Sequence, residues 1–366
     1  MKPLRKKKKI KPTPKSKVVK VKAPEVPVHI IAHSKATMGR QEEQAAAKVI
    51  HGGFVGSGSE VAKFEYDFCR FLGLAEGHAL ALSSGTAARY LALAVLGAEG
   101  KSVAIPAYSS GLRKALALAK AVPVVVDVKA GTANIDLDAA AATRADIVVI
   151  AHMFGMPTVL KPMAGKKIIE DCTQVLGAKI KGVPAGLAAD IAVYSFAGGE
   201  IITCGGQGGM LVSKDLELVT RARAYRDHDN NGASFNFRLT DIQAAIGRVQ
   251  LEKLPKLVAR REDIFDAYKE SGFAILEAHD ESVSPVRQAA ILQTERAQEV
   301  ISYLKEACVE CIVPVDLVSA SEASTCPQAA HLALNTVSLP IHPHLSNDEV
   351  REIMDQLHDA LAPAEP

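Results

Sequence analysis

No apolar stretch in this 366-residue chain approaches the ~20 residues that a membrane-spanning helix needs; the run at 122–126 is short, and charged residues interrupt the others. A transmembrane protein is excluded on that ground. The six cysteines (Cys69, Cys172, Cys204, Cys308, Cys311 and Cys326) are too few for a disulfide scaffold in so long a chain, which fits a reducing compartment. Cys308 and Cys311 form a lone Cys-x-x-Cys. The first of them continues the apolar stripe of Ala297, Ile301 and Leu304, so packing at a helix end is preferred to a metal or redox role. Acids are missing from residues 2–22, which hold eleven of the 43 lysines and arginines. The remainder has 32 cations against 41 acids, so a net charge of +2 conceals an acidic body with a basic arm. No apolar segment of ~7–15 residues follows the arm as a signal peptide would require, and its Lys/Pro content is a poor match to a transit sequence. The expected location is cytoplasmic. Residues 1–27 also lack any aromatic side chain, so they cannot bury enough to fold and read as a disordered, solvated tail. Such a tail could follow the phosphates of nucleic acid or anionic lipid, but it offers no ring for base stacking.

What the chain does have is 48% hydrophobic residues, enough for a sizeable core. Apolar runs bounded by turn signals at 79–82, 103–105, 122–126, 147–151, 167–169 and 191–194 read as strands buried on both faces. Helical patterns at 86–96 and 111–121 lie between them, giving an α/β domain around a largely parallel sheet. A helix over 239–254 is marked by Thr240 and Gln243 as a capping box. Further helices are expected near 260–271 and 294–308, with a last one opened by Ser346. The division that follows is a tail at 1–27, a large domain at 28–255 and a small C-terminal domain at 256–366.

Three segments carry chemistry. Ser83-Ser84-Gly85-Thr86 follows a predicted strand and opens a helix, where free N–H groups would suit a phosphate, although small residues also serve any tight turn. Asp171, in Glu170-Asp-Cys-Thr-Gln174, lies at the carboxyl edge of a parallel sheet; it could hold a ring-nitrogen proton or merely cap a helix. The third segment runs from Asp190 through Ser195-Phe196 to Glu200 and the glycine-rich Cys204-Gly-Gly-Gln-Gly-Gly209. Two other features are undecided. His342-Pro-His344 has two potential metal ligands, and Arg226-Asp-His228 could be plain surface.

The order of these segments resembles the DegT/DnrJ/StrS family of nucleotide-sugar aminotransferases, which have the type I fold of pyridoxal-phosphate (PLP) enzymes. The likeness continues through Pro106-Ala-Tyr-Ser, Pro123-Val-Val-Val-Asp127, His152-Met-Phe-Gly155, Asn236-Phe-Arg-Leu-Thr-Asp-Ile-Gln and Leu339-Pro-Ile-His-Pro343. The resemblance implies that Gly85 and Thr86 cradle the cofactor phosphate with Ser195, that Asp171 pairs with the pyridinium nitrogen, and that Gln174 lies against the ring. It also implies that Asn236 reaches the phosphate of a neighbouring subunit in a dimer, with Arg238 and His228 on the substrate side. For His342-Pro-His344 it implies a structural strand and turn, with no metal expected, and for Arg226-Asp-His228 a substrate-side loop as readily as plain surface.

One departure dominates. The family places its Schiff-base lysine five residues after the serine, and here that position is Glu200. A carboxylate cannot form an imine, so the cofactor, PLP or its amine form pyridoxamine phosphate (PMP), is expected to bind noncovalently and ordinary transamination to be very slow. A second departure is Ser110, where many members have a stacking aromatic ring. The family includes a dehydratase branch with histidine in the lysine position, which makes Glu200 a candidate base there. The rival reading is a degenerate homologue that binds a sugar nucleotide or completes a heterodimer with an active paralogue. On the sequence alone, Glu200→Lys is expected to restore the imine.

Overall fold

The computed structural model describes residues 29–108, 110–227, 235–277, 280–315 and 320–362. The basic tail and His228 therefore lie outside the described residues. No described helix is long and apolar enough to cross a membrane.

Seven strands form the main sheet, in the spatial order Ala79–Leu82, Gly209–Val212, Ile191–Ser195, Lys167–Asp171, Ile147–Ala151, Ser102–Pro106 and Val122–Val126. All run parallel except Gly209–Val212, which is antiparallel to both neighbours. The apolar runs are continuous because both faces are covered, and the pleat sends alternate residues to two cores. Ile191 and Val193 pack with Leu80, Leu91 and Leu211 on one face. Ala192 and Tyr194 pack with Phe64, Phe68 and Met210 on the other. The parallel strands end at one edge, with Asp171 and Ser195 the last residues of adjacent strands.

The helix foreseen over 239–254 does not stop there, nor does a separate one begin near 260. A single helix runs Asp241–Glu270, opened by the Thr240–Gln243 capping box and containing Pro255. A proline inside a helix costs about 3 kcal/mol. Packing on both sides of it offsets that cost: Leu251, Leu254 and Leu257 bury in the sheet core, and Ile264, Phe265 and Tyr268 in the C-terminal core. The smaller C-terminal α/β domain adds the antiparallel pair Ala290–Gln293 and Thr336–Leu339 and the helices Ala297–Glu306 and Asn347–Leu361. Ile31 joins this core from the far end of the chain, through hydrogen bonds with Cys308 and Glu310. Cys311 packs against the same core, and burial pushes its thiol up to about 12.

Candidate functional site

The carboxyl edge of the sheet gathers most of the residues singled out in the sequence. Helix Gly85–Val95 starts there, and the Ser84 hydroxyl caps it by accepting from Ala87 N–H. The first N–H groups of a helix have no helical carbonyl to bond, so this end attracts anions. Two glycines make the close approach possible. A Cβ at Gly85 would lie 2.7 Å from the Ser195 Cβ, and one at Gly209 would overlap the Ser84 carbonyl oxygen. Gly85, Thr86 and Ser195 thus form one turn against one strand end, as a phosphate cradle requires.

Asp171 is buried beside them and is not free. The Arg89 guanidinium grips it, with Nε donating to Oδ2 at 2.6 Å and Nη2 to Oδ1 at 3.3 Å. Nη2 also donates to Thr173 Oγ1 at 2.9 Å, and Thr173 N–H donates to Asp171 Oδ1 at 3.2 Å. Arg89 lies one turn after Gly85, on the same helix face, and is the only charged residue in Gly85–Val95. That lone charge in an apolar helix was the available sequence signal. Room for it comes from Gly111, where a Cβ would stand 2.9 Å from Arg89 Nη1.

Glu200 closes a turn onto Ala197 O and receives hydrogen bonds from the Ser195 hydroxyl and, at 3.4 Å, from Gln288 Nε2. Burial pushes its carboxyl up to about 7, opposed by Arg89 and Ser195 and reinforced by the Asp171 charge. A raised folded-state value means that the native protein holds this proton while the unfolded chain gives it up. The wild type should therefore lose about 1–2 kcal/mol relative to Glu200→Gln between pH 4.5 and 7, discounted for partial exposure, and nothing further above 7. Denaturant midpoints of both proteins across that range check this; parallel pH profiles would remove the buried acid from the site.

Two adjoining cavities meet here. One of about 210 Å³ is lined by Arg89, Tyr108, Asp171 and Gln174. The other, of about 240 Å³, lies between the domains and is lined by Gln174, Gly199, Arg261, Gln288 and His342. Gln174 is held by Phe154 N–H on its Oε1. No lysine lines either cavity among the described residues. Three residues lining the second cavity each keep one buried polar atom without a partner among the described residues: Arg261 Nε, Gln288 Oε1 and His342 Nδ1. His342 Nε2 faces the Ala32 carbonyl, which can only accept, so Nε2 carries the proton and Nδ1 a bare lone pair. Burial lowers the His342 value, and burial brings Arg261 down to about 10. Neither Arg261 nor Gln288 had a signal in the sequence.

Other candidates lie on the surface beside this edge or are engaged in other contacts. Asn236 and Arg238 are exposed on a segment paired with Leu82 and Ser83, and Arg238 is held by Asp227 at 3.2 Å. Arg226 is buried against Glu65 and Asp227, a structural role. His152, Glu170 and Cys172 have metal-ligand chemistry within 4.8 Å of one another. Their lone pairs are engaged, however: His152 Nδ1 accepts from Thr158 N–H, Nε2 donates to Glu170, and Glu170 accepts from three main-chain N–H groups.

Residues 36–358 match the model of the DegT/DnrJ/EryC1/StrS aminotransferase family. GDP-perosamine synthase of Escherichia coli O157:H7 is 27% identical, over 90% of this chain and 98% of its own. The dTDP-3-amino-3,4,6-trideoxy-alpha-D-glucose transaminase of Streptomyces venezuelae is 29% identical, over 93% and 97%. The crystal structure of the aminotransferase TlmJ from Streptoalloteichus hindustanus superposes with a TM-score of 0.86 at 26% identity, covering 91% of this chain and 99% of that one. The chain belongs to this family, and its sheet and smaller C-terminal domain match the type I fold.

Proposed function

We propose that this chain binds a nucleotide-linked keto sugar in the cleft between its domains, works without a covalent cofactor, and has lost ordinary transamination through Glu200. The observation that carries this reading is the interdomain cavity lined by Arg261, Gln288 and His342, a cation and two polar side chains that each keep a polar atom without a partner among the described residues. Hydroxyl groups both donate and accept, so a sugar ring matches this mixed donor and acceptor lining where an apolar ligand would not. The names of the relatives, which act on GDP- and dTDP-linked sugars, favour a nucleotide on that sugar. For pyridoxal or pyridoxamine phosphate, the phosphate end fits the turn at Gly85, Thr86 and Ser195. At the ring end the fit is incomplete, because Asp171 already carries Arg89. Any cofactor taken is held reversibly, and in that state it would supply an amine or an aldehyde.

Around the bound sugar, the chain's own residues orient hydroxyls from the Arg261 side and place Glu200, half protonated near neutrality, where it can give or take a proton. That favours a dehydration-type step over amino transfer. The test is thermal stabilisation and product analysis with GDP- and dTDP-linked 4-keto sugars. Stabilisation by several degrees that Gln288→Ala with His342→Ala largely removes is expected; no stabilisation by any sugar nucleotide sinks the reading. A sugar bound but unchanged in the presence of cofactor would mark a binding or heterodimer partner instead. We read Asn236 as reaching a second subunit, with Arg238 on the substrate side, and a strictly monomeric protein in sedimentation would remove that part.

A further inference from the structure

We propose that Arg89 is the resident counter-ion of Asp171, standing where the protonated ring nitrogen of a pyridoxal cofactor would otherwise bind, and that position 89 thereby sets how weakly this chain takes the cofactor. The inference deepens the reading above and rests on it for the location of the site. The Arg89–Asp171 pair is neutral as a unit, so Asp171 can still accept at the remaining lone pair of Oδ2 but offers a second cation no uncompensated charge. A protonated ring nitrogen arriving at Asp171 would meet Arg89 as a like charge. An unprotonated one, an acceptor, would face the carboxylate lone pairs. Moving Arg89 aside would leave a buried cation unpaired, which is strongly unfavourable.

The surroundings are built to keep the arginine where it is. Thr173 accepts from the same nitrogen that reaches Asp171, and the open position at Gly111 admits Nη1. The Arg89 side chain is 15% exposed and that of Asp171 is 2% exposed, so water screens the pair little. Glu200 adds its own attraction to Arg89. Asp171 and Arg89 thus neutralise each other before any cofactor enters.

The test is titration of the full chain with pyridoxal 5′-phosphate, followed by protein fluorescence and by retention on dialysis, with no substrate present. Arg89→Leu should bind at least tenfold more tightly than the wild type, because Asp171 is released. The gain should vanish in Arg89→Leu/Asp171→Asn, since the freed carboxylate is its source. Arg89→Gln, which removes the charge and keeps a hydrogen bond to Asp171, covers the case in which Arg89→Leu does not fold, and should also bind more tightly. Unchanged or weaker binding in the Arg89 variants overturns the inference, as does a gain that survives Asp171→Asn. Sugar-nucleotide stabilisation of the same proteins is read separately, so failure of the proposed function and failure of this inference are told apart.

Discussion

Glu200→Lys alone should give no imine absorbance band with pyridoxal phosphate and no borohydride-stable adduct at position 200, whereas Glu200→Lys combined with Arg89→Leu should give both. The reading that Glu200 occupies the family's lysine position predicts the amine to be sufficient. The Arg89–Asp171 pair argues that it is not. An imine forms only when the aldehyde is held against the amine, and Asp171, the contact proposed to hold the ring, is already bound by Arg89 at 2.6 Å. The Glu200→Lys substitution also places a second cation beside Arg89 and removes the acid that attracts it. Effective molarities for well-placed groups reach ~10⁵ M or more, so losing placement loses most of the reaction even with the nucleophile present. The expected difference between the single and double variants in adduct yield, measured by intact mass after reduction, is at least tenfold. Equal yields would show that Arg89 yields freely to the ring. Absence of adduct in the double variant would show that position 200 does not face the cofactor's place.

Gly155→Ala should be the most destabilising single methyl in this region, at about 3 kcal/mol or more, with a fall in Tm of about 4 °C or more. Two costs combine. The residue has φ 87°, where an L side chain is strained by ~1–2 kcal/mol. A Cβ there would also overlap the Val286 carbonyl, which cannot retreat because Val286 N–H is bonded to Gly155 O at 2.9 Å. Phe154, immediately before, also has a positive φ of 59° and holds Gln174 through its N–H, so the strain reaches the cleft. Gly131→Ala is the comparator. It has φ 71° and open space around its Cβ, so it should lose only the backbone share. Thermal melts of the two variants check this, and equal losses would mean that the carbonyl contact costs nothing.

The α/β architecture, the tight turn at Ser83–Thr86 and the strand-end positions of Asp171 and Ser195 were legible in the residue order because each is a local property. A strand buried on both faces must be apolar throughout, a tight turn against another strand needs glycine, and a cap needs a short polar side chain next to its helix. The continuity of Asp241–Glu270 was not legible. Pro255 argues locally for a break, and only the packing of its flanks into two separate cores outweighs it. The same holds at the site. The absence of a lysine at position 200 is a fact of the chain, and the sequence alone placed an acid there. Only the tertiary structure decided which cation answers Asp171. Arg89 and Asp171 are 82 residues apart, and the Arg261, Gln288 and His342 cavity draws on segments that meet only when the domains pack. A residue's neighbours along the chain set its backbone, but the charge it must neutralise is set by what folding brings within a few ångströms of it.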